Sequence, residues 1–169
     1  HDLSGLEYCL KNGFKRAVLS REVSLAEIKK MGESCPIELE FFCHGALCMG
    51  FSGSCLYSSM AGERSGNRGT CAQPCRKPAS VLSEKRAGEG ELCLSTNDIC
   101  MIDELAALRD AGVCCFKIEG RMKQPEYVAT VTRNYRRALD SLYERDAGRT
   151  QSFDTAAARS ELFEIFNRG

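Results

Sequence analysis

Ile37 to Gly45 reads IELEFFCHG, directly after Pro36. Ile37, Leu39 and Phe41 alternate with Glu38, Glu40 and Phe42, the two-residue period of a strand with one buried face. Upstream, Ser24-Leu-Ala-Glu27 is a capping box that opens a helix through Met31, with Gly32 just after it. Before that helix, RAVLS (16–20) reads as a short strand. Downstream, the stretch from Gly45 to Gly90 is rich in Gly, Ser and Cys and has little periodicity. A segment this long without regular structure inside a compact domain points to function. ELCLS (91–95) is the next expected strand, and Asn97 or Asp98 is the expected cap of a helix carrying Met101, Leu105 and Leu108, ending near Gly112. VCCFKIEG (113–120) reads as another strand. From Pro125 a longer helix runs to about Arg145, with Val128, Val131, Tyr135, Ala138 and Leu142 as its apolar stripe. A final helix is expected over 155–166.

Strands alternating with helices make a βα repeat, so the expected class is α/β with parallel strands and crossover helices. Four such strands form half of an eight-stranded barrel or a small open sheet. In both, functional residues sit at the carboxyl ends of the strands. That rule gathers Cys43 and His44, the cysteine-rich stretch, Thr96 to Cys100, and Lys117 to Arg121 on one rim.

The 169 residues suffice for one domain with a real core, and 43% hydrophobic with 27% charged residues is a globular balance. Net charge is zero, so overall charge names no partner. Two stretches, 61–86 and 116–137, each carry a net +4 and could meet phosphate or a small anion. No apolar run of about 18 residues occurs, so no membrane span is expected. No signal peptide is evident, which points to a cytoplasmic protein. The chain begins at His1 without an initiator Met, so a longer parent protein is expected.

Eleven cysteines are an odd count, which a disulfide framework would leave unbalanced. Cys48 and Cys55 are separated by six residues, Cys55 and Cys71 by fifteen, Cys71 and Cys75 by three, and Cys71 and Cys100 by twenty-eight. Structural zinc sites favour paired knuckles with two to four intervening residues; only Cys71 and Cys75 come near, without a matching pair. Four thiolates gathered from loops suit a cubane cluster, although soft thiolates admit zinc as well. Glycines 45, 50, 53, 62, 66 and 69 fit a backbone that turns tightly around an inorganic core. Cys9, Cys35, Cys43 and Cys93 read as small buried hydrophobes, and Cys114 and Cys115 as packing residues on opposite faces of a strand.

Two kinds of chemistry compete. Lys117, Glu119 and Arg121 alternate along a strand end and so share a face. The Lys and Arg could hold the carboxylates of a small dicarboxylate, with Glu119 as orienter or acid/base; the competing reading is an ion-pair network. His44 could be a proton donor beside the site, or a satisfied core histidine. Arg64, Arg68 and Arg76 could meet RNA phosphates, or pair locally. For proteolysis, an HExxH zinc site is excluded, because His1 and His44 are the chain's two histidines. A Cys–His pair of His44 with Cys43 or Cys48 is formally available, and Ser58 or Ser59 would also need His44 as base.

Glu40-x-Phe42-x-x-Gly45-Ala46-Leu47-Cys48-x4-Gly53-x-Cys55 resembles the signature of peptidase family U32, the collagenase-like proteins. The likeness continues through SGNRGTCAQPCR (65–76), NDIC (97–100), FKIEGRMKQPEYVATVTRNYRRALD (116–140) and the closing FNRG (166–169). Tyr57 departs from the aliphatic residue usual there. The resemblance implies a partial (β/α) barrel: residues 1–146 would be the C-terminal half of a TIM-barrel-like domain with a long Cys-rich insertion at 45–90, and 147–169 the start of a following segment. It implies a 4Fe-4S cluster held by Cys48, Cys55, Cys71 and Cys100, with Cys75 in reserve and zinc as the alternative metal. It also implies one of two activities. One is hydroxylation of tRNA or rRNA bases with prephenate as co-substrate; the other is collagenase-like proteolysis. His44, Lys117, Glu119 and Arg121 are the catalytic candidates.

Overall fold

The alternating run around Leu39 becomes the central strand of a mixed sheet in the computed structural model, which describes residues 2–78, 92, 94–120, 123–149 and 152–166. In chain order the elements are α1 (Leu3–Lys11), β1 (Arg16–Val18), α2 (Leu25–Ser34), β2 (Glu38–Ala46), α3 (Tyr57–Gly62), β3 (Asp98–Cys100), α4 (Leu105–Asp110), β4 (Val113–Glu119), α5 (Pro125–Asp146) and α6 (Thr155–Ile165). Short 3-10 turns at Gly66–Arg68 and Pro74–Arg76 follow α3. By its contacts the chain divides into two compact units: Leu47–Asn97, and His1–Ala46 together with Asp98–Gly169.

In the larger unit β1 and β4 run parallel to β2, with Ala17 opposite Leu39 and Phe116 opposite Phe41. This is the α/β arrangement that the strand–helix alternation predicts. β3 departs from it. Asp98–Cys100 does not cap a helix; it pairs antiparallel with the end of β2, Cys100 opposite His44 and Asp98 opposite Ala46. The polar edge of that β2 segment was still open for pairing, and three residues suffice to fill it. α4 therefore begins at Leu105, behind Glu104. The expected strand at 91–95 does not form at Leu92, Leu94 or Ser95; Glu91 and Cys93 lie outside the described residues.

The capping box forms as read. The Ser24 hydroxyl accepts the Glu27 N–H, and the Glu27 carboxylate accepts the Ser24 N–H. Gly32 does not end α2, which runs on to Ser34. It is there for packing: a Cβ at this position would lie 2.6 Å from the Ala111 carbonyl oxygen. α1 has no strong signal in the sequence beyond Asp2, whose side chain accepts the Gly5 N–H as its N-cap.

The helices bury one face of the sheet. Leu39, Phe41 and Val113 pack with Ile28, Met31 and Leu108, while Cys43 packs with Val131, Tyr135 and Leu162. Cys35 and Cys43 are buried in these cores, as expected of small hydrophobes, and Cys9 packs partly buried against them. On the other face, alternation brings Glu38, Glu40 and Phe42 beside Cys115, Lys117 and Glu119. A bulge shifts the register from Leu39–Val113 to Glu40–Cys115. Cys114 is the extra residue, so strict alternation fails there: it is exposed, and Cys115 lies half-buried beside Glu40. The packing role expected for this pair is not what forms. Among the described residues no helix is long and apolar enough to cross a membrane.

Candidate functional site

At the carboxyl end of β2, His44 is 3% exposed and walled by aromatic rings. Tyr135 meets it edge-on at 5.4 Å and Tyr127 is tilted at 6.0 Å, both from α5. The Tyr135 hydroxyl donates to the Cys43 carbonyl at 2.8 Å and accepts the Met101 N–H at 3.0 Å. His44 Nδ1 lies 3.2 Å from the same oxygen. With the one phenolic proton committed to Cys43, Nδ1 must carry the hydrogen, which leaves Nε2 as a bare acceptor. Tyr135 thus ties β2, the end of β3 and His44 together, and its oxygen sits 3.9 Å from Cys100 Sγ. The sequence offered Tyr135 only as one position of an apolar stripe. His44, Asp98 and Cys100 line a small, shallow cleft with Leu162, Phe163 and Phe166.

Burial, aided by the Lys123 charge, lowers the His44 pKa to about 4. An unfolded imidazole titrates near 6.5. Between those values the unfolded chain holds a proton that the folded chain refuses, so stability rises with pH across this window and is lost on acidification. From this group the unfolding free energy is expected to fall by about 3 kcal/mol between about pH 7 and about pH 4. His44→Gln should remove that part of the pH dependence in chemical denaturation. An unchanged slope would show that His44 is not buried neutral.

The charged candidates on the opposite sheet face are paired. Lys117 Nζ lies 3.2 Å from Glu40, and Arg21 lies 3.7 Å from Glu119. Both cations also cover the Phe42 ring, Arg21 at 3.9 Å and Lys117 at 5.1 Å. Burial works to raise the Glu40 carboxyl, but hydrogen bonds from Lys117 and Cys115 and the nearby Arg16 outweigh it and hold it below its ordinary value. Lys117 and Glu119 are thus each engaged in an ion pair on this face. Arg121 lies outside the described residues.

The Cys43 thiol donates to the Lys117 carbonyl at 3.4 Å rather than to a base, and burial pushes its pKa up to about 12. A thiol held protonated beside an imidazole of pKa about 4 is not an activated nucleophile. Ser58 is buried, and its hydroxyl accepts the Ala72 N–H at 2.8 Å.

The smaller unit carries Cys48, Cys55, Cys71 and Cys75. Burial raises the Cys75 thiol, Arg76 opposes it, and the Cys48 and Cys71 sulfurs raise it further, so each of those two lies within electrostatic reach of Cys75. Cys71 Sγ accepts the Gln73 N–H at 3.3 Å, with Gln73 in the left-handed region at φ 55°. Two glycines keep space beside thiols: a Cβ at Gly50 would lie 3.5 Å from Cys55 Sγ, and one at Gly66 would lie 3.7 Å from Cys71 Sγ. Among the described residues no three His, Cys, Asp or Glu side chains are arranged to hold a single metal ion. Cys100 belongs to β3 in the larger unit.

Arg76, a candidate for RNA phosphate, is spoken for. Its guanidinium donates to Ser95 Oγ at 2.8 Å and to the carbonyls of Thr96 and Leu47, while Thr96 Oγ1 donates to the same Leu47 oxygen at 2.6 Å. It clasps the two ends of the smaller unit. Arg76→Gln is expected to weaken that closure by about 3 kcal/mol, since hydrogen bonds from a charged donor are worth ~1.5–3 kcal/mol. Faster amide exchange across 47–78 would report it; unchanged protection would contradict it.

The sequence profile of peptidase family U32 matches residues 1–169, the whole chain. The chain belongs to peptidase family U32. Among its relatives, a 23S rRNA 5-hydroxycytidine synthase of Escherichia coli is 39% identical over 93% of this chain and 25% of that protein. A collagenase of Porphyromonas gingivalis is 36% identical over 90% of the chain and 40% of its own length. The tRNA hydroxylation protein P of Escherichia coli is 31% identical over 85% of the chain and 42% of its own length. This U32 chain thus spans about a quarter to two-fifths of these relatives. No solved structure matches it.

Proposed function

We propose that this U32 chain is part of an iron–sulfur protein that hydroxylates tRNA or rRNA bases, with a prephenate-like dicarboxylate as hydroxyl donor. The observation that supports the reading is the thiol set of the smaller unit: four soft donors in one short stretch, two of them within electrostatic reach of Cys75, an N–H donated to Cys71 Sγ, and glycines where side chains would fill the space beside Cys55 and Cys71. A 4Fe-4S cluster fits that donor set better than a hard cation does. Cys48, Cys55 and Cys71 would hold it, with Cys100 as fourth ligand; Cys75 competes for that place because its thiol feels Cys48 and Cys71. Once bound, the cluster would supply one-electron redox chemistry. Relatives named for rRNA and tRNA hydroxylation support the substrate class, and an RNA substrate suits a cytoplasmic protein.

The bare, charged sheet face fits a partial barrel. Parallel sheets are covered on both faces in nearly all proteins. Here Glu40, Phe42, Lys117 and Glu119 would line the interior once further strands close it, and the Lys117–Glu40 and Arg21–Glu119 pairs would have to exchange partners to bind a dicarboxylate. Collagenase-like proteolysis is the second reading, favoured by the Porphyromonas relative. Against it, His44 and Cys43 form no activated pair, and Ser58 is buried. Nucleoside mass spectrometry of tRNA and rRNA from cells lacking the full-length protein tests the choice. A hydroxylated pyrimidine should disappear and return on complementation. Unchanged nucleosides, with peptide cleavage by the purified protein, would favour proteolysis.

A further inference from the structure

Between the candidate ligands Cys48 and Cys55, and just beyond them, the smaller unit exposes large apolar side chains. Phe51 is 77%, Leu56 61% and Met60 85% accessible. They sit on one feature. The Ser54 N–H closes a turn onto the Phe51 carbonyl, and Gly50 folds against Cys55, which brings the residues flanking that contact, Phe51 and Leu56, to the same end of the loop. The Met60 N–H bonds the Leu56 carbonyl, so these two follow one another along one helical face. Ser58, on the other side of α3, is buried. The turn Gly66–Arg68 packs against α3 and carries exposed Arg68. Residues 47–78 hold Arg64, Arg68, Arg76 and Lys77 against one acid, Glu63, and of these cations Arg64, Arg68 and Lys77 are exposed.

We infer that Phe51, Leu56 and Met60, with the exposed cations Arg68 and Lys77, form a docking surface for single-stranded RNA. The inference rests on the RNA-hydroxylation reading and gives it a location. Aromatic faces stack unpaired bases, apolar side chains wedge between base steps, and arginines and lysines meet the phosphates. Over residues 47–78 cations outnumber acids four to one, which complements a polyanion. An apolar tip beside thiols proposed as cluster ligands is also where a base must be presented if that cluster is to act on it.

The test is anaerobic photo-carbene footprinting of the full-length protein, with and without total tRNA and rRNA from cells lacking it. Phe51 and Met60 should label strongly in the free protein and several-fold less with RNA. Phe51→Ser should weaken RNA binding about tenfold with the salt slope kept, whereas Arg68→Gln should lower that slope by about one. Labels absent from the free protein would show the tip covered by the protein's own remaining chain and overturn the inference. RNA binding with unchanged labels, or full affinity in Phe51→Ser, would overturn it while leaving RNA hydroxylation standing. Failure to bind any RNA would sink both.

Discussion

Cys71→Ser in the full-length protein, purified without oxygen, should retain less than about a tenth of the wild-type iron and acid-labile sulfide. Losing a partner outside the metal's own ligands already costs 10–100-fold in metal affinity, and losing a ligand costs at least that. Serine is a hard donor that stays protonated where a thiol would ionise, so it does not replace a thiolate on iron. Cys71 is the most informative position because its sulfur already receives the Gln73 N–H, and Gly66 leaves room beside it. Cys48→Ser and Cys55→Ser should behave alike. Cys100→Ser and Cys75→Ser decide the fourth ligand: whichever empties the protein holds that place. Cys114→Ser, at the exposed bulge, should keep its iron. Full iron and sulfide in Cys71→Ser would remove Cys71 from the ligand set.

The second large effect is structural. Gly45 has φ of +102°, and a Cβ there would lie 2.2 Å from the Glu119 carbonyl oxygen and 3.1 Å from the Tyr127 hydroxyl. The obstruction is backbone of the neighbouring strand, so it cannot swing aside as a side chain would. Left-handed strain of ~1–3 kcal/mol adds to displacement of the β2–β4 pairing, and Gly45→Ala should cost about 4 kcal/mol in all. At roughly 2–4 °C per kcal/mol for a domain of this size, the thermal midpoint should drop by about 10 °C. Gly53→Ala separates strain from clash. Its φ is +78°, but nothing lies within 4 Å of an added Cβ, so it should cost only about 1 kcal/mol. Equal losses at the two positions would mean that the Glu119 contact does not constrain the fold.

Local signals carried much of this fold. The alternation at Ile37–Phe42, the box at Ser24 and Glu27, and the stripe through Val131, Tyr135 and Ala138 each report a periodicity or cap that tertiary structure preserved, although at its start Tyr127 is buried and the expected Val128 is exposed. β3 was not legible, since three residues pairing antiparallel with the end of β2 carry no pattern of their own. Gly32 read as a stop signal because the close approach of Ala111 is a contact between segments distant in sequence. The same holds at the site. Cysteine spacing marks out the smaller unit, but the Tyr135 hub depends on partners 34 to 92 residues away and the Arg76 clasp on partners 19 to 29 residues away. Lys117 and Glu119 share a sheet face as expected, but their pairing with Glu40 and Arg21 joins segments distant in sequence and has no local signal.

The most direct test uses the anaerobically purified full-length protein, incubated with RNA from cells that lack it and with prephenate. The expected result is a pyrimidine nucleoside heavier by one oxygen atom, formed by the wild type and not by Cys71→Ser. RNA recovered unmodified, from protein that holds its full iron and cleaves a collagen peptide, would contradict the account.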